Sequence, residues 1–178
     1  MRNLTKLEGR QISMLDCFPE PSVEERLENL VRELMTVSAM LRSAELHGDF
    51  CQAETIERAK RALRAGVAAR AMIGTACKPA TVAEVCECVA SLIQSIPQGE
   101  PADGYSASLT MDVGSLQPSR GALEAACRRL RTTAMFRPKI PEVLAAMREA
   151  GIMYAAALRA IDELPRRVSR IEEGRSDG

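Results

Sequence analysis

An apolar stripe restricts this chain more than any other feature. It runs Leu27, Leu30, Leu34, Val37, Leu41 and Ala44, with successive steps of 3, 4, 3, 4 and 3 residues. A helix gathers that spacing on one face, whereas a strand scatters it over two. The stripe amounts to a heptad seam of about three repeats, the lower limit for a coiled coil. Such a seam has to be covered by a second helix of the same chain or by a second copy of it. Both alternatives stand at the sequence level, so a homo-oligomer is one of them.

The ends of this helix are also legible. Ser22 suits an N-cap, and Glu24 and Glu25 place negative charge in the first turn, where the helix dipole favours it. His47-Gly48-Asp49 supplies a stop, with glycine as the left-handed cap and His47 as a cation near the C-terminus. A second helix is predicted from about 50 to 75, with Ala53, Ile56, Leu63, Val67 and Ala71 at near-heptad spacing. Two long helices joined by a short break fold back on each other. The expectation is therefore an antiparallel, coiled-coil-like hairpin over 22–77, preceded by a flexible arm over 1–21. Its interface residues are Leu27, Leu30, Leu34, Val37 and Leu41. Charge agrees with it: the first helix is acidic, and the second carries Arg58, Lys60, Arg61, Arg64 and Arg70. That basic run reads either as a nucleic-acid stripe or as a solvated face pairing with the acidic helix.

Composition extends the helical reading to the whole chain. Hydrophobic residues make up 46% but aromatics only 3%, with no Trp, so the apolar mass is Ala, Leu, Val, Ile and Met. These are mostly helix formers, and the fold class expected is all-α. Lys plus Arg and Asp plus Glu both number 24, a balance that argues against a generic nucleic-acid coat but allows a local basic patch. No run approaches the ~18 apolar residues of a membrane span, and the N-terminus lacks the pattern of a signal peptide. A cytoplasmic protein without membrane contact is expected. The six Cys at 17, 51, 77, 86, 88 and 127 form no CxxC pair, so reduced, mostly buried thiols are expected rather than a zinc site.

A small C-terminal helical bundle is predicted over 81–164. Thr81-Val82-Ala83-Glu84 has the form of a capping box and opens a helix whose apolar face is Val82, Val85, Val89, Leu92, Ile93 and Ile96. Residues 97–104 read as a loop. The stretch from Tyr105 to Val113 is compatible with a short helix or an extended segment. Ser119 caps a helix from about 120 to 132 with Leu123, Ala126, Cys127 and Leu130 as its stripe. An elbow follows. Phe136 is the expected core anchor there, and Pro141 with Glu142 starts the next helix. Gly151 invites a kink, and Pro165 ends the regular pattern, leaving 165–178 as a frayed tail.

The cations Arg128, Arg129, Arg131, Arg137 and Lys139 cluster around the elbow. They are the candidates for contact with a partner or with DNA, and the alternative is a solubilising face. No catalytic residue is assigned. The chain has one His, no nucleophile-and-base pattern and no Gly-rich phosphate loop, so a non-enzymatic protein with no cofactor and no metal is expected.

The order Tyr105, Ala107, Leu109, then Leu123-Glu-Ala-Ala-Cys-Arg-Arg-Leu, then Phe136-Arg-Pro-Lys-Ile-Pro-Glu-Val-Leu resembles a group of small phage and prophage helical proteins. It is also similar to the helical domain of phage replicative-helicase loaders, whose Pro-x-Ile-x-Glu element Pro138, Ile140 and Glu142 match. The resemblance covers about 82–150. It implies a non-enzymatic adaptor in phage DNA replication, with a replicative helicase as partner. The loaders engage the helicase through a flexible C-terminal segment, and this chain has only a short tail there. The other reading is a phage-encoded interaction module that regulates or inhibits a host system through its coiled-coil hairpin.

Overall fold

The structure, a computed structural model, describes residues 20–47, 53–95, 104–134 and 136–176. Those residues form an all-α fold of six helices: α1 (Val23–His47), α2 (Ala53–Ala76), α3 (Val82–Ser95), α4 (Tyr105–Leu116), α5 (Arg120–Thr133) and α6 (Ile140–Ser176). Most of the expected arm (1–19), the hairpin turn with Gly48 and most of the 97–104 loop lie outside the described residues.

The helix starts follow from local chemistry. Ser22 and Glu25 form a reciprocal capping pair, each side chain accepting from the other's backbone N–H at 3.2 and 2.9 Å. Thr81 and Glu84 repeat the device at α3. Ser119 Oγ accepts from the Ala122 N–H at α5. At α6 the Lys139 side chain offers no acceptor, and only the Glu142 carboxylate reaches back, to the Lys139 N–H. Pro141 therefore sits second in α6 rather than first, where its missing N–H is still harmless. The segment from Tyr105 resolves into a helix.

Two apolar clusters hold the fold. The first joins α1, α2 and the later part of α6 around Val31, Leu34, Ile73, Ala157, Ile161 and Leu164. The second joins α3, α4, α5 and the start of α6 around Val89, Leu92, Leu109, Leu123, Val143 and Met147. α6 is the spine common to both. Its 37 residues extend about 55 Å at 1.5 Å per residue. In the first cluster α1 and α2 run antiparallel, and α6 lies parallel to α1. Glu45 of α1 meets Arg167 of α6 at 2.6 Å, while Lys60 of α2 meets Glu172 at 2.6 Å and Arg70 of α2 meets Asp162 at 2.5 Å.

The hairpin is therefore not separate in its packing from the C-terminal helices, because α6 fills the groove between α1 and α2. This widens the buried face of α1 beyond the heptad stripe. Val31, Leu34, Val37 and Leu41 are fully buried, whereas Leu27 and Leu30 are only partly so. The seam of α2 also differs from the expected one. Val67 and Ala71 are exposed, and the buried line is Ile56, Ala59, Ala62, Gly66, Ile73 and Ala76. Small residues occupy this line because two helices press on it. A Cβ at Gly66 would lie 3.1 Å from both a Leu34 methyl and Ile161 Cγ1.

The frayed tail is a further correction. α6 continues through Pro165 to Ser176. An interior proline costs about 3 kcal/mol, and the contacts beyond it oppose that cost. Val168 is buried, Ile171 is partly so, Arg167 pairs with Glu45 and Glu163, and Lys60 pairs with Glu172. Gly151 leaves α6 unbroken; its place is beside Ala122 of α5. The connector before α3 and the one before α5 also pair as an isolated antiparallel bridge. Ala80 N–H donates to Pro118 O and Arg120 N–H to Lys78 O, both at 2.9 Å.

Candidate interaction surface

The elbow is built differently from its sequence reading. Phe136 is 69% exposed and is not the core anchor. Pro138 is buried in its stead, and the Tyr105 hydroxyl donates to the Pro138 carbonyl at 2.7 Å. This bond fixes the start of α4 against the approach to α6. Arg137 lies over the Tyr105 ring at 5.5 Å, a cation–π contact.

The basic residues around the elbow are dispersed over three neighbours. Arg128 faces α1 and contacts Glu28 at 3.4 Å. Arg129 faces α6 and pairs with Glu149 at 2.9 Å. Arg131 faces α3 and donates to the Ser91 hydroxyl at 2.8 Å. Arg137 is engaged with Tyr105, and Lys139 is exposed at the α6 start. Successive residues on α5 point about 100° apart, so a run of arginines in sequence becomes a set of struts in space. The basic run of α2 divides in the same way. Arg58 grips Glu33 of α1 through two bonds of 2.6 and 2.7 Å, as the acidic–basic pairing anticipates, but Lys60 and Arg70 turn to α6.

A groove opens where the start of α1 meets the end of α2 and the starts of α3 and α5. Its volume is about 410 Å³. Val23, Leu27, Ala71, Met72 and Ala76 give it an apolar lining, and Val23 and Met72 are well exposed. Gly121 closes the floor, because a Cβ there would stand 2.8 Å from the Tyr154 ring and 2.9 Å from Ala76 Cβ. Three carboxylates, Glu24, Glu84 and Glu124, rim it against one cation, Arg120. That cation is engaged by Glu84 at 2.9 Å.

The carboxylates differ in character. Glu24 is held below the usual carboxylate range by hydrogen bonds from its backbone and from Ser22, so it stays charged. Glu84 is lowered by Thr81, with Arg120 adding to it. Glu124 is pushed up, first by burial and then by the charge of Glu24, with Arg128 opposing and Glu84 adding a smaller part. The lining thus carries three carboxylates against one cation, with Arg128 of α5 acting on Glu24 and Glu124 from beside it. Sequence reading overlooked it because its residues come from four helices and share no local pattern.

No family model, curated protein or solved structure matches this chain. Among the described residues, no helix is long and apolar enough to cross a membrane, and no three His, Cys, Asp or Glu side chains converge on a point. The thiols among the described residues are not uniformly buried: Cys127 is buried, Cys77 and Cys88 are half-buried and Cys86 is exposed, while Cys17 and Cys51 lie outside the described residues.

Proposed function

We propose that the chain is an adaptor that works without catalysis, seating a basic, apolar-faced segment of a partner protein in the groove between α1, α2, α3 and α5. The observation that carries this reading is the combination of an open apolar lining with a rim of three carboxylates against one cation. A Lys or Arg arriving beside Glu124 relieves the repulsion from Glu24 and Glu84, while an apolar side chain covers Val23 and Met72. Complementary charge of this kind sets the choice of partner and the rate of encounter.

The likeness of residues 82–150 to phage replicative-helicase loaders selects the partner to examine first, a replicative helicase of the phage or its host. The hairpin-surface reading draws less support, since the heptad stripe is used up against α2 and α6. DNA contact has no part in the proposal, because Arg128, Arg129 and Arg131 are already engaged by neighbouring helices.

Binding of the purified helicase to the full chain tests the proposal. Reversing the rim with Glu24→Lys and Glu124→Lys is expected to weaken binding at least about tenfold at low salt, with the helical circular dichroism kept. Binding unchanged by the double reversal, or no binding by the unaltered chain, would overturn it.

A further inference from the structure

We infer that Cys88 and Cys127 form a peroxide-oxidised dithiol, with Cys88 as the attacking thiol and Cys127 as the thiol that resolves it into a disulfide. The two residues sit on facing helices of the second cluster, Cys88 half-buried on α3 and Cys127 buried on α5. Cys88 packs against the cluster in which Cys127 is buried. Two cross-helix contacts bracket the pair. Glu84, one turn before Cys88, meets Arg120 at 2.9 Å, and Ser91, just beyond it, accepts from Arg131 at 2.8 Å. The two thiols thus lie along the same seam between two packed helices, fixed on either side by a cross-helix contact. Cys88 also lines a small surface cleft of about 80 Å³ with Glu84, Arg120, Leu123 and Glu124, which gives a molecule as small as hydrogen peroxide a way in.

The electrostatics assign the two roles. The Cys127 thiol donates to Cys88 and so lowers the Cys88 pKa, with burial and the carboxylates of Glu124 and Glu84 opposing and Arg131 assisting. The same bond and deep burial raise Cys127, which stays protonated. Cys77, by contrast, is raised by burial. The thiolate is the nucleophile toward peroxide, so Cys88 reacts first.

The chemistry closes with hydrogen peroxide as the oxidant. The Cys88 thiolate attacks one peroxide oxygen, the O–O bond breaks, and a sulfenic acid forms as hydroxide leaves and is protonated to water. Cys127 sulfur then attacks the Cys88 sulfur, the S–O bond breaks, and the second oxygen departs as water with the Cys127 proton. Two thiols and one peroxide become one disulfide and two waters. The product staples α3 to α5, the two helices that bring Glu84, Arg120 and Glu124 to the groove.

The test is peroxide treatment of the full chain, alkylation of remaining thiols after unfolding, trypsin digestion and mass spectrometry. The expected result is loss of most alkylatable Cys127, with the peptide 121–128 linked to the peptide that contains Cys88. The link should persist in Cys86→Ser, vanish in Cys88→Ser and be reversed by dithiothreitol. Should Cys88→Ser fail to fold, fragmentation of the linked peptide from the Cys86→Ser protein still identifies its partner. Cys127 alkylated in full after peroxide, or linked through any cysteine other than Cys88, would overturn the inference.

Discussion

Replacing Leu34 and Gly66, singly and together, probes the contact that interlocks α1, α2 and α6. Leu34 is 0% exposed. Truncation to Ala removes three carbons, a transfer loss of about 2.4 kcal/mol at ~0.8 per carbon. The cavity left behind brings the total to about 3–5 kcal/mol. Gly66→Ala has two opposed parts. It gains about 1 kcal/mol of helix propensity and loses about 1–3 through overpacking, since its Cβ would lie 3.1–3.2 Å from both Leu34 methyls and 3.1 Å from Ile161. In the double variant the Leu34 methyls are gone, so the new methyl enters vacated space and most of the overpacking disappears. The double variant should therefore be more stable than the sum of the singles by about 1–2 kcal/mol. Urea unfolding followed by helical circular dichroism measures all three. Additivity to within about 0.5 kcal/mol would mean that the two positions do not touch and would refute the packing argument.

Other perturbations bear on separate parts of the account. Gly121→Ala should destabilise by about 1–3 kcal/mol, because the Tyr154 ring at 2.8 Å cannot rotate away as a flexible chain end would; an unchanged urea midpoint counts against the close approach. Removal of residues 166–178 should cost at least the ~1.5–3 kcal/mol of burying Val168, together with the Glu45 pairs; retention of full stability would restore the view of this stretch as a loose tail. Glu124→Gln should stabilise the chain near neutral pH. Glu124 has a folded pKa raised above its unfolded one, so the native state binds its proton more tightly. Its contribution is fully present below the ordinary carboxylate pKa and is lost as pH rises through the raised value. The advantage of Gln should accordingly shrink as pH falls through the carboxylate range, and a pH-independent difference would contradict the assignment.

The sequence revealed the helices better than their neighbours. Ser22, Thr81 and Ser119 marked helix starts because capping is a local act between residues three apart. The heptad stripe likewise identified Leu34, Val37 and Leu41 as core. Beyond Ile56 the buried line of α2 escaped notice because it consists largely of Ala and Gly, whose value lies in letting two other helices approach. Phe136 misled because hydrophobicity alone does not say whether the backbone carries a side chain inward, and here the buried residue of the elbow is Pro138 while Phe136 is exposed. Pro165 misled because its local cost is visible in sequence while the opposing contacts come from residues more than a hundred positions away. The groove and the thiol pair were hidden for the same reason, since each is assembled only when the helices pack.

The most direct check concerns the apolar stripe of α1. If α1 is covered by α2 and α6 of its own chain, recognition falls to the groove and not to the heptad face. Light scattering and circular dichroism on Leu34→Asp decide between the two. The account predicts loss of helical signal and cooperative unfolding, because a carboxylate is forced into the core cluster beside Gly66 and Ile161. A variant that stays helical and folded but falls from an oligomer to a monomer would place the stripe between chains and contradict the account.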